Sequence, residues 1–276
     1  LEGKTGTRNV VLQLETRSQL TGRAYIRALL AFLYLGIGIF VLIRADQLAR
    51  TYHFYFLCLA SFVVYLFSYT TKFATLDWWV LGISILAFLM LPALFVHFCL
   101  RFPVDTQISR RRTPLVYAPA IFLGMTYLLW ATGHLASLGL PRTAWASGLL
   151  DRIQLAYFSA GFILGGVLLL KRRMEARDLT VRQQMKWISY GTLAGIAPFG
   201  LIYVLPTLLG VRAGFAMEAS MLTLGLIPLS FGYALIRYRL MDVEAIARRS
   251  AAYFFASSLL LCLYLFFVLV LGRGLQ

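Results

Sequence analysis

The stretch that decides the fold is YIRALLAFLYLGIGIFVLI, Tyr25–Ile43, which one charged side chain, Arg27, interrupts. A second run of this kind, AAYFFASSLLLCLYLFFVLVL at Ala251–Leu271, has no charged residue. About 20 helical residues at 1.5 Å rise cross the hydrocarbon core of a bilayer, so each run is a candidate membrane-spanning helix. The sequence therefore predicts an all-α, polytopic transmembrane helical bundle.

Six further apolar runs lie between these two, which gives eight predicted spans. Hydrophobic residues make up 60% and charged residues 13% of the 276 positions, whereas soluble domains carry about 25% charged residues. We expect residues 1–23 to form a tail on the outer side and residues 24–276 to form the transmembrane domain. The predicted spans are Tyr25–Ile43, Tyr52–Thr70, Trp78–Leu100, Pro114–Thr132, Ile153–Leu170 (the shortest), Trp187–Leu209, Ala216–Ile236 and Ala251–Leu271.

Lysine and arginine are distributed unevenly between alternate loops, and this predicts the orientation. Loops on the cytoplasmic side of membrane proteins are rich in basic residues, so both termini of this multi-pass protein are predicted to lie on the outer side. The opposite loops hold only Lys72, Arg142, Arg152 and Arg212. The basic set is Arg44, Arg50, Arg101, Arg110, Arg111, Arg112, Lys171, Arg172, Arg173, Arg177, Arg182, Lys186, Arg237, Arg239, Arg248 and Arg249.

The net charge of +15 follows from this loop pattern, and nucleic acid is not an expected partner. The expected partners are the lipid bilayer, anionic lipid headgroups, and a second copy or a larger membrane complex. Each basic side chain near an anionic surface contributes roughly 1 kcal/mol of attraction. The residues predicted to contact anionic lipid are Lys171, Arg172, Arg173, Arg177, Arg182 and Lys186.

Two histidines fall at a similar predicted depth on consecutive spans, His53 near the start of span two and His97 near the end of span three. Such a pair is a candidate for ligating a haem iron or a pigment magnesium. The competing interpretation, which we favour, is two polar rings near the interface with local hydrogen bonds. No cofactor and no metal are therefore predicted.

Charged residues are scarce within the spans, which argues against an ion-coupled transporter. Arg27 lies in the first turns of span one and is expected to extend toward water. Glu218 lies near the outer start of span seven, close in sequence to Arg212. The sequence contains no phosphate-binding loop, zinc-binding histidine pair or nucleophile elbow, so we predict no enzymatic activity for this chain.

Small residues four apart occur in span five, at Gly161 and Gly165, and in span six, at Gly191 and Gly195. This spacing lets helix backbones approach closely. It serves either packing within one chain or dimerisation, and we favour packing within the chain.

Before the first span, Asn9–Glu15 (NVVLQLE) alternates apolar and polar residues. The pattern fits either the last strand of an outer domain or a disordered leader. Both ends of the sequence are consistent with a fragment of a longer protein.

The most distinctive stretch follows span seven and reads FGYALIRYRLMDVEAIARRS, Phe231–Ser250. Apolar residues recur there at helical spacing, which predicts either a short amphipathic helix on the inner surface, coupling spans seven and eight, or a plain connector.

The stretch Phe231–Tyr253 resembles a segment in the membrane-embedded regions of bacterial sensor histidine kinases. A second stretch, FVHFCLRFP at Phe95–Pro103, is similar to the end of a span in the same family. Several members carry an outer PDZ-like domain before the spans, and Asn9–Glu15 resembles its final strand. The family normally continues with a further span and with dimerisation and ATP-binding domains, so the resemblance carries over no kinase residue.

The resemblance implies a membrane-embedded sensor and signal-transducing region whose catalytic part is not in this chain. An alternative from a different class is a non-catalytic subunit of a larger membrane complex that binds a cofactor or lipid. A transporter is the third hypothesis. The residues expected to couple the signal are Arg237, Tyr238, Arg239, Asp242, Arg248 and Arg249.

Overall fold

The structure is a computed structural model, and it describes residues 17–44, 48–67, 75–102, 107–134, 143–211 and 213–237. All regular elements among these residues are helical. The elements are α1 (Arg17–Arg44), α2 (Leu48–Leu66), α3 (Thr75–Arg101), α4 (Gln107–Thr132), α5 (Ala144–Glu175), α6 (Leu179–Phe199), a π-helical turn (Gly200–Val204), α7 (Leu205–Leu208), α8 (Phe215–Ala219), a 3₁₀ stretch (Ser220–Gly225) and α9 (Leu226–Arg237).

The last six elements form two continuous rods. We call Leu179–Leu208 the sixth segment and Phe215–Arg237 the seventh segment. Each helix or segment reverses direction relative to the one before it, as successive membrane spans must.

Six of these seven rods close into a ring. Neighbours pack in the order α1, α2, α3, α5, sixth segment, seventh segment and back to α1. The remaining rod, α4, packs mainly on α3 and lies outside the ring. Because α4 carries the chain back, α3 and α5 are neighbours that run parallel.

The membrane class is supported by length, composition and surface. Six helical stretches are long and apolar enough to cross a bilayer: Ala24–Ile43, Trp79–Arg101, Thr113–Thr132, Trp145–Glu175, Leu179–Leu208 and Phe215–Ala234. Large apolar side chains such as Leu115, Phe122 and Leu201 lie exposed on the outside of the bundle. A surface of this kind suits hydrocarbon rather than water.

The predicted count of eight spans is not confirmed. The second prediction corresponds to a shorter apolar helix, Thr51–Leu66, among the described residues. The eighth prediction, Ala251–Leu271, lies outside the described residues, as do the strand predicted at Asn9–Glu15 and most of the outer tail at residues 1–23. Within that tail, α1 already begins at Arg17.

Span five, predicted to be the shortest, is the longest helix in the described part of the chain. It covers 32 residues because Thr143 caps its start, accepting a hydrogen bond from the Ala146 amide at 3.4 Å. The apolar run Ile153–Leu170, from which the span was predicted, covers only the most hydrophobic part of this helix. Three residues separate the end of α5 from the start of the next helix, α6, where the Asp178 side chain accepts from the Thr180 amide at 2.9 Å.

Candidate functional site

A cavity of about 540 Å³ lies inside the ring at one end of the bundle. Its walls come from α1, α2, α3, α5 and both segments, represented by Arg27, Tyr65, Phe88, Tyr203 and Met221. We call this end the cavity end. The opposite end, which holds Arg101, Arg172 and Arg173, is the basic end.

Two irregular stretches form part of the cavity wall, and prolines lie close to both: Pro198 and Pro206 near the first, and Pro228 after the second. Pro198 and Pro206 flank the π-helical turn, and each lacks the amide proton that an α-helix needs. Within that turn, the Leu205 amide bonds to the Gly200 carbonyl, five residues back. The turn contacts the 3₁₀ stretch of the seventh segment. Such departures from α-helical geometry often occur at functional sites.

One ion pair closes the ring between its first and last members. The Arg27 guanidinium lies 3.1 Å from the Glu218 carboxylate, and Glu218 is only 4% exposed. The expectation that Arg27 extends toward water stays a prediction, because its side chain is 33% exposed while it pairs with the buried carboxylate. Opposite charges at the same predicted depth on two spans were the signal that would have found this pair.

The inner wall of the cavity is aromatic. Phe88 stacks on Phe158 with ring centroids 4.9 Å apart, and Phe158 meets the edge of Phe199 at 6.2 Å. Phe199 in turn stacks on Tyr203 at 5.2 Å. These four rings come from α3, α5 and the sixth segment, so they hold three walls of the cavity in a fixed arrangement.

The rim of the cavity on α5 is polar. The Tyr127 hydroxyl of α4 donates to Gln154 Oε1 at 2.8 Å and lies 3.4 Å from Asp151 Oδ1. Arg152 also lines the cavity. Its Nη2 lies 3.4 Å from the point that a Cβ on Gly210 would occupy, and Gly210 has a positive φ of 90°. A side chain at position 210 would therefore be strained and would crowd the guanidinium.

The two candidate ligand histidines meet, away from the cavity. Their rings lie edge to face with centroids 4.2 Å apart. His53 Nε2 lies 3.1 Å from the Leu94 carbonyl, and His97 Nδ1 lies 2.8 Å from the Tyr117 hydroxyl. A macrocycle does not fit between rings at this separation, so the geometry favours local hydrogen bonds. Among the described residues, no cluster of three or more histidine, cysteine or carboxylate side chains is arranged to hold a metal.

The six predicted lipid-contact residues divide into two groups. Arg172 donates to the Leu100 carbonyl at 3.1 Å, Arg173 lies over the Tyr190 ring at 4.8 Å, and Lys171 is 3.9 Å from Glu175. Arg177, Arg182 and Lys186 are exposed, and so is Lys171, whose side chain is 67% exposed, whereas Arg172 and Arg173 are half-buried. Contact of these residues with anionic lipid stays a prediction.

The glycine pairs pack helices of the same chain. A Cβ on Gly161 or Gly165 would collide with Pro92 or Phe95 of α3. A Cβ on Gly191 would collide with Ser230 of α9, and one on Gly195 would lie 2.9 Å from the Thr223 carbonyl. Both pairs are therefore occupied by neighbouring helices within the ring.

The stretch predicted to couple the signal begins at the centre of the ring. Phe231 is fully buried, and its ring contacts Phe98 with centroids 5.3 Å apart. Three residues later, the Ala234 carbonyl accepts a hydrogen bond from Gln184 Nε2 at 3.3 Å. Arg237 ends α9. The other predicted coupling residues, Tyr238, Arg239, Asp242, Arg248 and Arg249, lie outside the described residues.

Comparisons with protein-family models, with curated proteins and with solved structures give no significant match to this chain. Its function is therefore argued from the geometry above.

Proposed function

We propose that this chain is the membrane-embedded sensor and signal-transducing region of a bacterial protein of the histidine-kinase type, and that the cavity receives its stimulus. The proposal assigns no catalysis to these residues. The proposed orientation of the chain in the bacterial inner membrane follows the positive-inside rule: the cavity end faces outward and the basic end faces the cytoplasm.

One observation carries the proposal: the seventh segment connects the cavity to the opposite end of the bundle. Glu218 lies in its first turn and pairs with Arg27, which lines the cavity. Phe231 lies at the centre of the ring, and Arg237 ends the segment at the basic end. A ligand that alters the ion pair between Arg27 and Glu218 therefore acts on an element that reaches the other side.

The seventh segment is suited to transmit a displacement. Its 3₁₀ stretch separates α8 from α9, and a 3₁₀ stretch inside a helix often marks a hinge. Beyond that hinge, α9 packs so closely on α6 that a Cβ on Gly191 would collide with Ser230. Packed interfaces of this kind change between discrete arrangements rather than deforming continuously.

The coupling is tested by hydrogen exchange on the whole chain in lipid nanodiscs. In Glu218→Gln, amide exchange should rise in peptides from 215–225 and also in peptides from 226–237, because the loss of the ion pair releases the whole segment. The control is Glu175→Gln, which removes a carboxylate from the exposed pair with Lys171. A rise confined to 215–225 would contradict transmission along the segment.

The family assignment has its own test, which is the reading frame beyond Gln276. We expect a further span followed by a dimerisation region and an ATP-binding domain. A stop codon directly after Gln276 would refute a sensor kinase. Autophosphorylation by the purified 276-residue chain would contradict the assignment of catalysis to another region.

A further inference from the structure

The cavity combines an aromatic wall with a charged rim, and this combination specifies a class of ligand. The wall consists of Phe88, Phe158, Phe199 and Tyr203. A volume of about 540 Å³ falls within the roughly 300–1,000 Å³ typical of small-molecule sites. The ligand should therefore have an apolar or aromatic body of modest size.

The charges of the rim do not cancel locally. Arg27 is paired with Glu218 at 3.1 Å, and Asp151 lies 3.4 Å from the Tyr127 hydroxyl. For Arg152, no carboxylate among the described residues lies within ion-pair distance. It is adjacent in sequence to Asp151, but consecutive residues on a helix do not face each other.

Arg152 is exposed at the rim of the cavity. Position 210 is glycine in a left-handed conformation, and the Arg152 Nη2 lies 3.4 Å from where its Cβ would be, so the absence of a side chain there accommodates the guanidinium. A guanidinium presents a planar pair of N–H donors that matches the two oxygens of a carboxylate. The lining of the cavity thus combines an exposed arginine with an aromatic wall.

We propose that the cavity binds an amphipathic monocarboxylate, with its carboxylate on Arg152 and its apolar body against the aromatic wall. This ligand assignment rests on the proposed function, because it names a ligand for the cavity that is proposed to receive the stimulus. A single negative charge fits best, because Asp151 and Glu218 also line or adjoin the site and would repel a second one. The same chemistry is offered by a fatty acid from the bilayer and by an aromatic acid from water.

The test uses the whole chain in nanodiscs of zwitterionic phosphatidylcholine. Laurate and 4-phenylbutyrate are the two carboxylate probes, and dodecylamine and dodecanol are the matched controls for charge. Binding is followed by thermophoresis and by the shift in thermal midpoint. We expect at least one carboxylate to bind and to raise the midpoint, while the amine and the alcohol do not. Binding of laurate alone identifies a lipid source, and binding of 4-phenylbutyrate alone identifies a soluble one.

Variants make the assignment specific to one side chain. Arg152→Gln should weaken carboxylate binding at least tenfold, and Arg152→Lys should weaken it less because the charge is kept. Arg50→Gln makes the same change in charge at the start of α2, at the basic end, and should leave binding unchanged. Circular dichroism and gel filtration check that each variant folds.

Equal binding of laurate and dodecylamine, or full affinity in Arg152→Gln, would overturn the proposed ligand class. The sensor proposal fails separately. If a carboxylate binds through Arg152 but leaves exchange at 226–237 unchanged, the ligand assignment stands and signal transmission does not. If no carboxylate binds but Glu218→Gln still alters 226–237, the reverse holds.

Discussion

Tyr34 donates its hydroxyl to the carbonyl oxygen of Leu224 at 2.9 Å, across the contact between α1 and the seventh segment. In a regular helix that carbonyl would accept from the amide four residues later, but residue 228 is proline and has no amide proton. The tyrosine thus replaces a backbone hydrogen bond that the sequence of the seventh segment cannot supply. Both groups are buried, so the replacement matters energetically.

Removing this hydroxyl should weaken the bundle. In Tyr34→Phe the buried Leu224 carbonyl loses its side-chain donor and keeps only the Leu226 amide, which also bonds to the Thr223 carbonyl. The substitution should lower the free energy of unfolding by about 1–2 kcal/mol. Denaturation in mixed micelles measures the change. Tyr25→Phe removes the same atom from a side chain that is 72% exposed and should be nearly neutral. Equal effects of the two substitutions would show that the hydrogen bond is unimportant.

The contact between α6 and the seventh segment should not tolerate a methyl group. In Gly195→Ala the new Cβ would lie 2.9 Å from the Thr223 carbonyl and 3.1 Å from Ile227, so overpacking should cost about 1–3 kcal/mol of unfolding free energy. Gly36→Ala meets nothing within 4 Å and should stabilise the chain by roughly 0.5–1 kcal/mol through helix propensity. Thermal midpoints of the two variants in detergent should move in opposite directions. A stabilised Gly195→Ala would show that the helices are separated there.

The orientation is tested by cysteine accessibility. Cys58 and Cys99 are fully buried, so a Cys262→Ser background suffices for labelling. In intact cells, an impermeant maleimide should label Ala136→Cys and should label Thr180→Cys only after permeabilisation, because the proposed orientation keeps the basic loops in the cytoplasm. External labelling of Thr180→Cys would reverse the proposed topology.

The histidine pair should hold no coloured cofactor. The His53 ring contacts the Leu94 carbonyl and the His97 ring contacts the Tyr117 hydroxyl, with only 4.2 Å between the two ring centroids. The purified protein should therefore show no visible absorption band, and replacing His53 or His97 should leave the visible spectrum unchanged. Stoichiometric haem or chlorophyll that is lost in either variant would instead favour a cofactor-binding subunit of a larger complex.

The retention of anionic lipid by the protein should depend more on some of the basic residues than on others. Arg177 and Arg182 are exposed, whereas Arg172 and Arg173 already contact a carbonyl and a ring of the protein. The pair Arg177→Gln with Arg182→Gln should reduce retention of phosphatidylglycerol by roughly fivefold for each charge. Arg172→Gln with Arg173→Gln removes the same charge and should reduce it less. Lipid extracted from washed nanodiscs measures retention, and equal losses would contradict the division.

The helical class was predictable because hydrophobic length alone specifies it. The run at Tyr25–Ile43 falls within α1, and the polar residues Thr143 and Asp178 cap the helices that follow them. Helix ends were less predictable. The α5 helix extends well beyond its apolar run, since hydrogen bonding and capping, rather than hydropathy, determine where a helix begins and ends.

The cavity was not predictable from the same patterns. It depends on which spans are neighbours, and hydropathy carries no information about that order. Arg27 and Glu218 lie 191 positions apart, and each taken alone is a typical interfacial residue. The meeting of His53 and His97, by contrast, followed from depth, because consecutive spans connected by a short loop must pack side by side.

The position of α4 has a consequence for how this sequence can change over time. Only 11% of the apolar part of α4, Thr113–Thr132, is buried. The helix lies outside the ring and returns the chain to the other end of the bundle, so that α3 and α5 can run parallel. Most side chains of α4 face the surroundings of the bundle rather than a neighbouring helix. Substitutions there among leucine, isoleucine, phenylalanine and methionine should therefore change the free energy of unfolding little. Amino-acid substitutions should therefore accumulate along α4 faster than along the buried helices of the ring. Among homologues, α4 should be the helix whose sequence diverges first.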